Sequence, residues 1–331
     1  MNLQLRIELL KKLGSYILSD DEEWKLAKEK AFLENSWFIP DFIELSIRNI
    51  AHAFLKEAYL IKWVSPYWQK IESLKPKKIG IVMAGNIPLV GFHDLLAVFI
   101  SGHRAIVKPS TKDSVLIKHL GNKLLNGSVE EEMIQFRELL NNCEAYIATG
   151  SNNSSRYFEY YFGKYPNIIR RNRTSVAVLT GNEPAKDLEK LADDVYQYFG
   201  LGCRNVTKIY VPRKYDFLPL LDTFRKYHFL IDHHKYKNNY DYNLALHILN
   251  KKYYMTNGSI LLSEEASVFS PISQLNYEYY NDLEEHISFL QALPELQSII
   301  GKGFVPFGQG QCPALEDYAD KVNTLEFLVN L

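Results

Sequence analysis

From residue 77 to residue 212 the sequence alternates short apolar runs with segments of helical periodicity, and this alternation constrains the fold more than any other feature. The runs KKIGIVMAG, RAIVKPS, EAYIATGS, SVAVLTG and NVTKIYVP are short and apolar, which predicts buried strands. Between them GFHDLLAVFISG, DSVLIKHLGNKLL, SSRYFEYYFGK and LEKLADDVYQYFG predict helices. Strand following helix over about 130 residues calls for an α/β fold: a parallel, doubly wound sheet with helices on both faces and right-handed crossovers.

The flanks read differently. The first 75 residues are helical in pattern, with Ser19, Asp20 and Asp21 able to cap EEWKLAKEKAFLE at its positive end. Pro40 opens a second stretch, DFIELSIRNIAHAFLKEAYLIKWV, in which Phe42, Ile43, Leu45, Ile47, Ile50, Ala53, Phe54 and Leu55 recur at roughly helical spacing. Trp63, Tyr67 and Trp68 are expected to close a core. Beyond Pro212 the chain turns rich in Tyr, Asn and Lys; IDHHKYKNNYDYN predicts a polar surface loop and LEEHISFLQAL a helix.

Composition excludes several classes. A chain of 331 residues with 47% hydrophobic and 23% charged residues buries a core without disulfides or a metal. A net charge of −1 provides no basic field for nucleic acid or an anionic membrane. Cys143, Cys203 and Cys312 are too few and scattered for a disulfide framework or zinc knuckle, which points to a reducing, cytoplasmic home. The apolar run from Ile79 to Phe92 is broken by glycines, Asn86 and Pro88 and is too short to span a membrane. Arg6 and Glu8 deny the N-terminus a signal-peptide core.

Open α/β sheets bind ligands beyond the carboxyl ends of their strands, so three loops are candidate sites. In Ala84-Gly85-Asn86-Ile87-Pro88, glycine permits close approach and the Asn86 amide can donate to developing negative charge, although Asn-x-Pro is also ordinary turn chemistry. Lys108-Pro109-Ser110 can meet a ribose or phosphate, or be a solvated turn. Ala148-Thr149-Gly150-Ser151 offers N–H groups and a hydroxyl at a helix start, an anion site. A Walker motif is absent, and GLGCRN carries Asn205 where a GxGxxG would end in glycine.

Cys203 lies between a helix and a strand, flanked by Gly200 and Gly202 and next to Arg204, a setting for a reactive thiol; the alternative is a buried, inert cysteine. Cys143 and Cys312 suit the buried reading better. His228, His233 and His234 lack any zinc-binding spacing, and no metal is expected. His93 and His103 are expected in capping or packing, and Asp193-Asp194 and Glu264-Glu265 as solvated charges.

Taken in order, Asn86-Ile-Pro88, GHRAIVKPS, ATGS and GLGC resemble the aldehyde dehydrogenase superfamily, and Ser267-Val-Phe269-Ser-Pro271 is similar to its Glu-x-Phe-Gly-Pro segment. AGNIPLVGFHDLLAVFISGHRAIVKPSTKDS and FGQGQCPALEDYADKVNTLEFL resemble the LuxC-type acyl-CoA reductase branch. The resemblance implies a Rossmann-type cofactor domain over 76–200, a smaller α/β thiol domain over 201–310, a packed helical region over 1–75 and a tail over 311–331. It makes Cys203 the nucleophile that accepts an acyl group, with the Asn86 amide and the Cys203 backbone N–H as oxyanion donors. Lys108 and the adjoining Ser110, Thr111 and Lys112 would face the adenosine ribose. Thr149, Gly150 and Ser151 would face the pyrophosphate, and Phe269 the nicotinamide ribose.

Two departures refine this expectation. Aldehyde-oxidising members carry a Glu that activates water, whereas IIRRNRTSVAVLTG has no carboxylate; an acyl-enzyme awaiting hydride must avoid hydrolysis, which favours thioester reduction. Where NAD-preferring relatives place Glu after Lys-Pro-Ser, Thr111 and Lys112 favour NADPH over NADH. Ser267 replaces the acidic ribose ligand. The expected activity is NADPH-dependent reduction of an acyl-CoA or other acyl thioester to an aldehyde. The alternatives are a semialdehyde or acyl-phosphate reductase, or a catalytically silent scaffold of an acyl-transfer complex. The resemblance also implies a homo-oligomer and an acyl-activating synthetase as partner.

Overall fold

The computed structural model describes residues 1–125 and 131–331, which separate into two compact units, 1–172 together with 313–331 and 173–312. The first unit starts with five helices: α1 (Leu3–Ile17), α2 (Glu22–Glu34), α3 (Pro40–Ala53), α4 (Glu57–Val64) and α5 (Trp68–Ser73). Asn2 caps α1 by accepting from Leu5 N–H, and Leu3, Ile7, Leu10, Leu13 and Ile17 form its buried stripe. Asp21 caps α2 by accepting from Trp24 N–H, with Glu22 and Glu23 in the first turn. The long stretch after Pro40 does not run as one helix; it breaks after Ala53, where Phe54 and Leu55 turn into the core. Trp63 is buried, and Tyr67 and Trp68 pack on the same core.

There follow β1 (Lys78–Val82), α6 (Phe92–Ser101), β2 (Arg104–Lys108), α7 (Ser114–Leu125), β3 (Ile134–Phe136), β4 (Ala145–Thr149), α8 (Asn152–Phe162) and β5 (Asn167–Arg170). The strands form a five-stranded parallel sheet in the order β3-β2-β1-β4-β5. Its order reverses at β1, so β2 and β4 flank β1, and the loops beyond their carboxyl ends meet at the switch point where such sheets bind ligands. β3 and β5, only three and four residues long, lie outside the strand runs read from sequence.

The C-terminal segment is part of this unit's core. Leu325 and Leu328 of the last helix (Thr324–Val329) are fully buried in it. His103, fully buried, accepts from Lys77 N–H (3.0 Å) at Nδ1 and therefore donates from Nε2 to Leu328 O (2.9 Å) as a neutral ring. Burial holds its pKa below the usual histidine value. Arg170 is buried, paired with Asp94 at 2.6 Å and donating to Thr324 Oγ1 at 2.8 Å. His93 Nε2 lies 3.0 Å from Leu315 O.

The second unit contains β6 (Thr174–Val178), α9 (Ala185–Tyr196), β7 (Val206–Pro212), α10 (Leu218–Thr223), α11 (His234–Leu249), β8 (Met255–Thr256), β9 (Leu261–Glu264), β10 (Gln274–Tyr280), α12 (Leu283–Ala292) and β11 (Leu296–Ile300). Its sheet runs β11-β6-β7-β10-β9-β8, parallel except for β8 against β9. SVAVLTG and NVTKIYVP are strands as expected, but they belong to this second sheet, and the units divide at 172/173 rather than at 200/201.

The polar stretch expected as a loop is α11. His233 caps it, accepting from Tyr236 N–H, and Lys237 pairs with Asp241 one turn on. The stripe Tyr236, Tyr240, Asn243 and His247 is buried at helical spacing. Its inward face is built of aromatic and polar residues, so an aliphatic pattern misses it. Among the described residues no helix is long and apolar enough to cross a membrane.

Candidate active site

In the first unit the sheet order sets the loop after β1 between those after β2 and β4, so Asn86, Lys108–Lys112 and Thr149–Ser151 share one sheet edge. The β1 loop is held closely. A Cβ on Gly85 would lie 2.6 Å from Ser110 Cβ and Oγ, so only glycine lets these loops touch. The Pro88–Leu89 peptide is gripped from both sides: Ser46 Oγ donates to Pro88 O at 2.7 Å, and Leu89 N–H donates to Asp113 Oδ2 at 2.7 Å. Leu89 is thereby kept at φ 58°, a strained value for a branched side chain. Asn86, three residues upstream, is half-buried on this clamped loop.

Asp113 is completely enclosed, and burial pushes its pKa well above the usual carboxylate range despite the Leu89 hydrogen bond. Its other oxygen is buried without a hydrogen-bond partner among the described residues. Lys108, Thr111 and Lys112 are exposed, while Ser110 accepts from Lys112 N–H. The neighbouring carboxylate is thus turned inward and two lysines face outward, a charge arrangement suited to a phosphate-bearing ligand. Ser151 caps α8, its Oγ accepting from Ser154 N–H at 3.3 Å, with Thr149 and Gly150 half-buried before it. The start of α8 offers backbone N–H groups to an anion.

In the second unit Cys203 stands just before β7, and Phe269 just before β10. These strands are parallel neighbours, with Asn276 opposite Lys208, so both residues lie at the amino-terminal edge of the sheet. Cys203 is half-buried, and its carbonyl accepts from Ser175 Oγ at 3.2 Å. The backbone entering it is left-handed at three successive residues, Tyr198 (φ 55°), Phe199 (φ 58°) and Gly200 (φ 73°).

The Phe269 loop is held through its carbonyls. Ala266 O accepts from Lys208 Nζ (2.9 Å), Val268 O from Thr207 Oγ1 (2.6 Å), and Ser267 O and Phe269 O from Asn276 Nδ2 (3.0 and 3.1 Å). Lys208 is fully buried, paired with Glu278 and 4.8 Å from the Tyr210 ring centroid. Ser267 Oγ accepts from Phe269 N–H and donates to Phe269 O, closing a local turn.

Several expectations about single residues change. Asp194 is not a solvated charge but 1% exposed, accepting from Gly308 and Gly310 N–H, and burial pushes its pKa up to about 6. Cys143 is buried, whereas Cys312 is exposed. Among the described residues no cluster of three or more His, Cys, Asp or Glu side chains is placed to hold a metal ion. Sequence reasoning passes over Ser46, Asp113, Asn205, Thr207, Lys208 and Asn276, whose partners lie across loops or elsewhere in the chain. Only Asn205 leaves a trace, as the residue in place of glycine.

No protein-family model matches the sequence, and no curated protein matches it. Solved structures do. The aldehyde dehydrogenase KauB from Pseudomonas aeruginosa is similar with a TM-score of 0.67 at 15% identity, over 91% of this chain and 72% of that one. Aldehyde dehydrogenase 21 from Physcomitrella patens, in complex with the reaction product succinate, gives 0.65 at 12% identity, over 91% and 74%. The NAD+ complex of an aldehyde dehydrogenase from Bacillus cereus gives 0.63 at 12% identity, over 89% and 70%. The chain therefore has the aldehyde dehydrogenase fold.

Proposed function

We propose that the chain is an acyl-thioester reductase that works through a covalent acyl-Cys203 and uses NADPH in preference to NADH. The observation that carries this reading is the presentation of Cys203, half-buried three residues after a left-handed turn at one sheet edge of an aldehyde dehydrogenase fold. A half-buried thiol set beside strained backbone suits a working nucleophile better than a packing cysteine.

Cys203 as thiolate attacks the thioester carbonyl, forming a C–S bond. The tetrahedral oxyanion collapses and the C–S bond to the carrier breaks, releasing the carrier thiolate, which takes up a proton. Asn86 and the Cys203 backbone N–H are the oxyanion donors in this reading. Lys108, Ser110, Thr111 and Lys112 bind the ribose end of the dinucleotide, and Thr149, Gly150 and Ser151 the pyrophosphate. Phe269 would face the nicotinamide ribose. When bound, NADPH would supply hydride to the acyl carbon of acyl-Cys203, and the resulting oxyanion would re-form C=O as the C–S bond breaks, freeing the aldehyde and the Cys203 thiolate.

The reductive direction is favoured by segment 170–173, Arg-Arg-Asn-Arg, which has no carboxylate to activate water. Arg170 is committed to Asp94 and Thr324, and Arg171 to Glu159 at 2.5 Å. An acyl-CoA donor, an acyl-activating synthetase partner and a homo-oligomer belong to the same proposal.

Intact-protein mass after incubation with long-chain acyl-CoA and no NADPH tests it. The wild type should gain one acyl increment that NADPH discharges as aldehyde, and Cys203→Ala should gain none. An increment retained by folded Cys203→Ala would exclude Cys203. Absence of any increment across chain lengths would exclude acyl-CoA as donor.

A further inference from the structure

The left-handed turn at Tyr198–Gly200 raises the question of what holds it. Two aromatic residues in succession at positive φ are strained and persist only where the surroundings over-determine them. The turn follows directly on α9, whose last carbonyls have no partner within the helix. Asn205 meets them. Fully buried, its Nδ2 donates to Gln197 O at 2.8 Å and Asp194 O at 3.0 Å, with Val195 O at 3.4 Å. Its Oδ1 accepts from Gly202 N–H at 2.8 Å, and its own N–H donates to Gly202 O at 3.1 Å. One side chain therefore ties the end of α9 to the residue before Cys203, across the strained turn.

A second brace lies behind it. The Asp194 carboxylate accepts from Gly308 N–H (2.6 Å) and Gly310 N–H (2.8 Å), joining FGQGQ to the same helix end. Gly310 is a close approach: a Cβ there would lie 2.8 Å from Asp194 Oδ1 and 3.2 Å from Arg204 O. Residues far apart in sequence thus converge on both sides of the segment 198–204.

We infer that Asn205, backed by the Asp194–Gly308–Gly310 brace, is the positioning residue for Cys203. It holds the strained turn that sets the thiol's direction and exposure and takes no part in bond-making. The inference rests on the thiol reading of Cys203, but it also has a readout independent of catalysis, the rate at which the thiol is alkylated.

The experiment follows iodoacetamide labelling of Cys203 by peptide-resolved mass spectrometry, which separates it from Cys143 and Cys312, in the wild type and Asn205→Ala. In folded Asn205→Ala, Cys203 labelling should change at least about tenfold and acyl-transfer kcat should fall about 10²-fold, with KM for acyl-CoA within about twofold. Wild-type labelling and kcat in a folded Asn205→Ala protein would overturn the inference. Should that variant not fold, Gly310→Ala perturbs the brace more gently, and it must move both readouts in the same way; unchanged values would overturn the inference equally. A wild type that is not acylated, yet whose Cys203 labelling responds to Asn205→Ala, would sink the proposed reaction and leave the positioning role standing.

Discussion

The two units hold their candidate loops at opposite ends of parallel strands, and they use opposite chemistry to do so. In the first unit the loops follow β1, β2 and β4, where helices and helical turns begin and backbone N–H groups need acceptors. Acceptors are what the sequence supplies there: Asp113 for Leu89, Ser110 for Lys112 and Ser151 for Ser154. In the second unit Cys203 precedes β7 after the end of α9, and Phe269 precedes β10 in the loop after β9; at both places carbonyls need donors. There Asn205 serves the end of α9, and Lys208, Thr207 and Asn276 serve the Phe269 loop. The direction of the chain relative to the sheet edge thus sets which kind of side chain predominates, with Ser46 as a donor in the first unit and the Asn205 Oδ1 as an acceptor in the second marking the exceptions.

The sharpest way to strain this comparison is to remove a group from the first unit's clamped loop. Asn86→Ala should lower acyl-transfer kcat by about 10²–10³ while leaving the fold intact, as loss of one oxyanion donor does. Near-normal turnover by a folded variant would separate the rigidity of the loop from the chemistry assigned to it.

A smaller effect tests the acceptor rule itself. Asp113→Ala leaves Leu89 N–H buried without its acceptor and should cost about 1–3 kcal/mol in denaturant unfolding, whereas Asp113→Asn keeps a carbonyl oxygen and should cost less. The pH dependence carries the sign. Because the folded-state pKa of Asp113 is raised, the folded protein binds more protons than the unfolded chain above the ordinary carboxylate pKa. Its contribution to stability therefore falls as pH rises towards the folded value. Asp113→Asn lacks this loss, so its stability relative to the wild type should rise with pH over that window. A flat difference would show that Asp113 does not titrate with folding.

The smallest expected change concerns the exposed lysines. Lys112→Glu should shift preference from NADPH towards NADH by about tenfold, the worth of one charge-assisted hydrogen bond. Equal Michaelis constants for both cofactors before and after the substitution would remove Lys112 from the ribose-phosphate site.

Legibility in the sequence followed the range of the interactions. The helices of 77–212 and its longer strands, though not β3 and β5, are readable because β-strand runs and amphipathic periods are local, as are Asp21 as a cap and Pro40 as a helix start. α11 was not readable, since its buried stripe is Tyr, Tyr, Asn and His rather than aliphatic. Nor was the division at 172/173, because nothing local tells a strand which sheet it will join. The C-terminal tail, in sequence a short mixed segment, is tied into the first unit by Arg170 and His103, more than 150 and 200 residues away respectively.

The sequence by itself determined the α/β class, the candidate loops and Cys203 as the thiol of interest, all encoded in runs of a few residues. Only the tertiary structure decided which strands share a sheet and that Asp113 and Asp194 are buried. It alone decided that Asn205 spans the strained turn before Cys203. Those outcomes depend on burial and on hydrogen bonds between residues distant in the chain, and both arise only when the sheets assemble and exclude water.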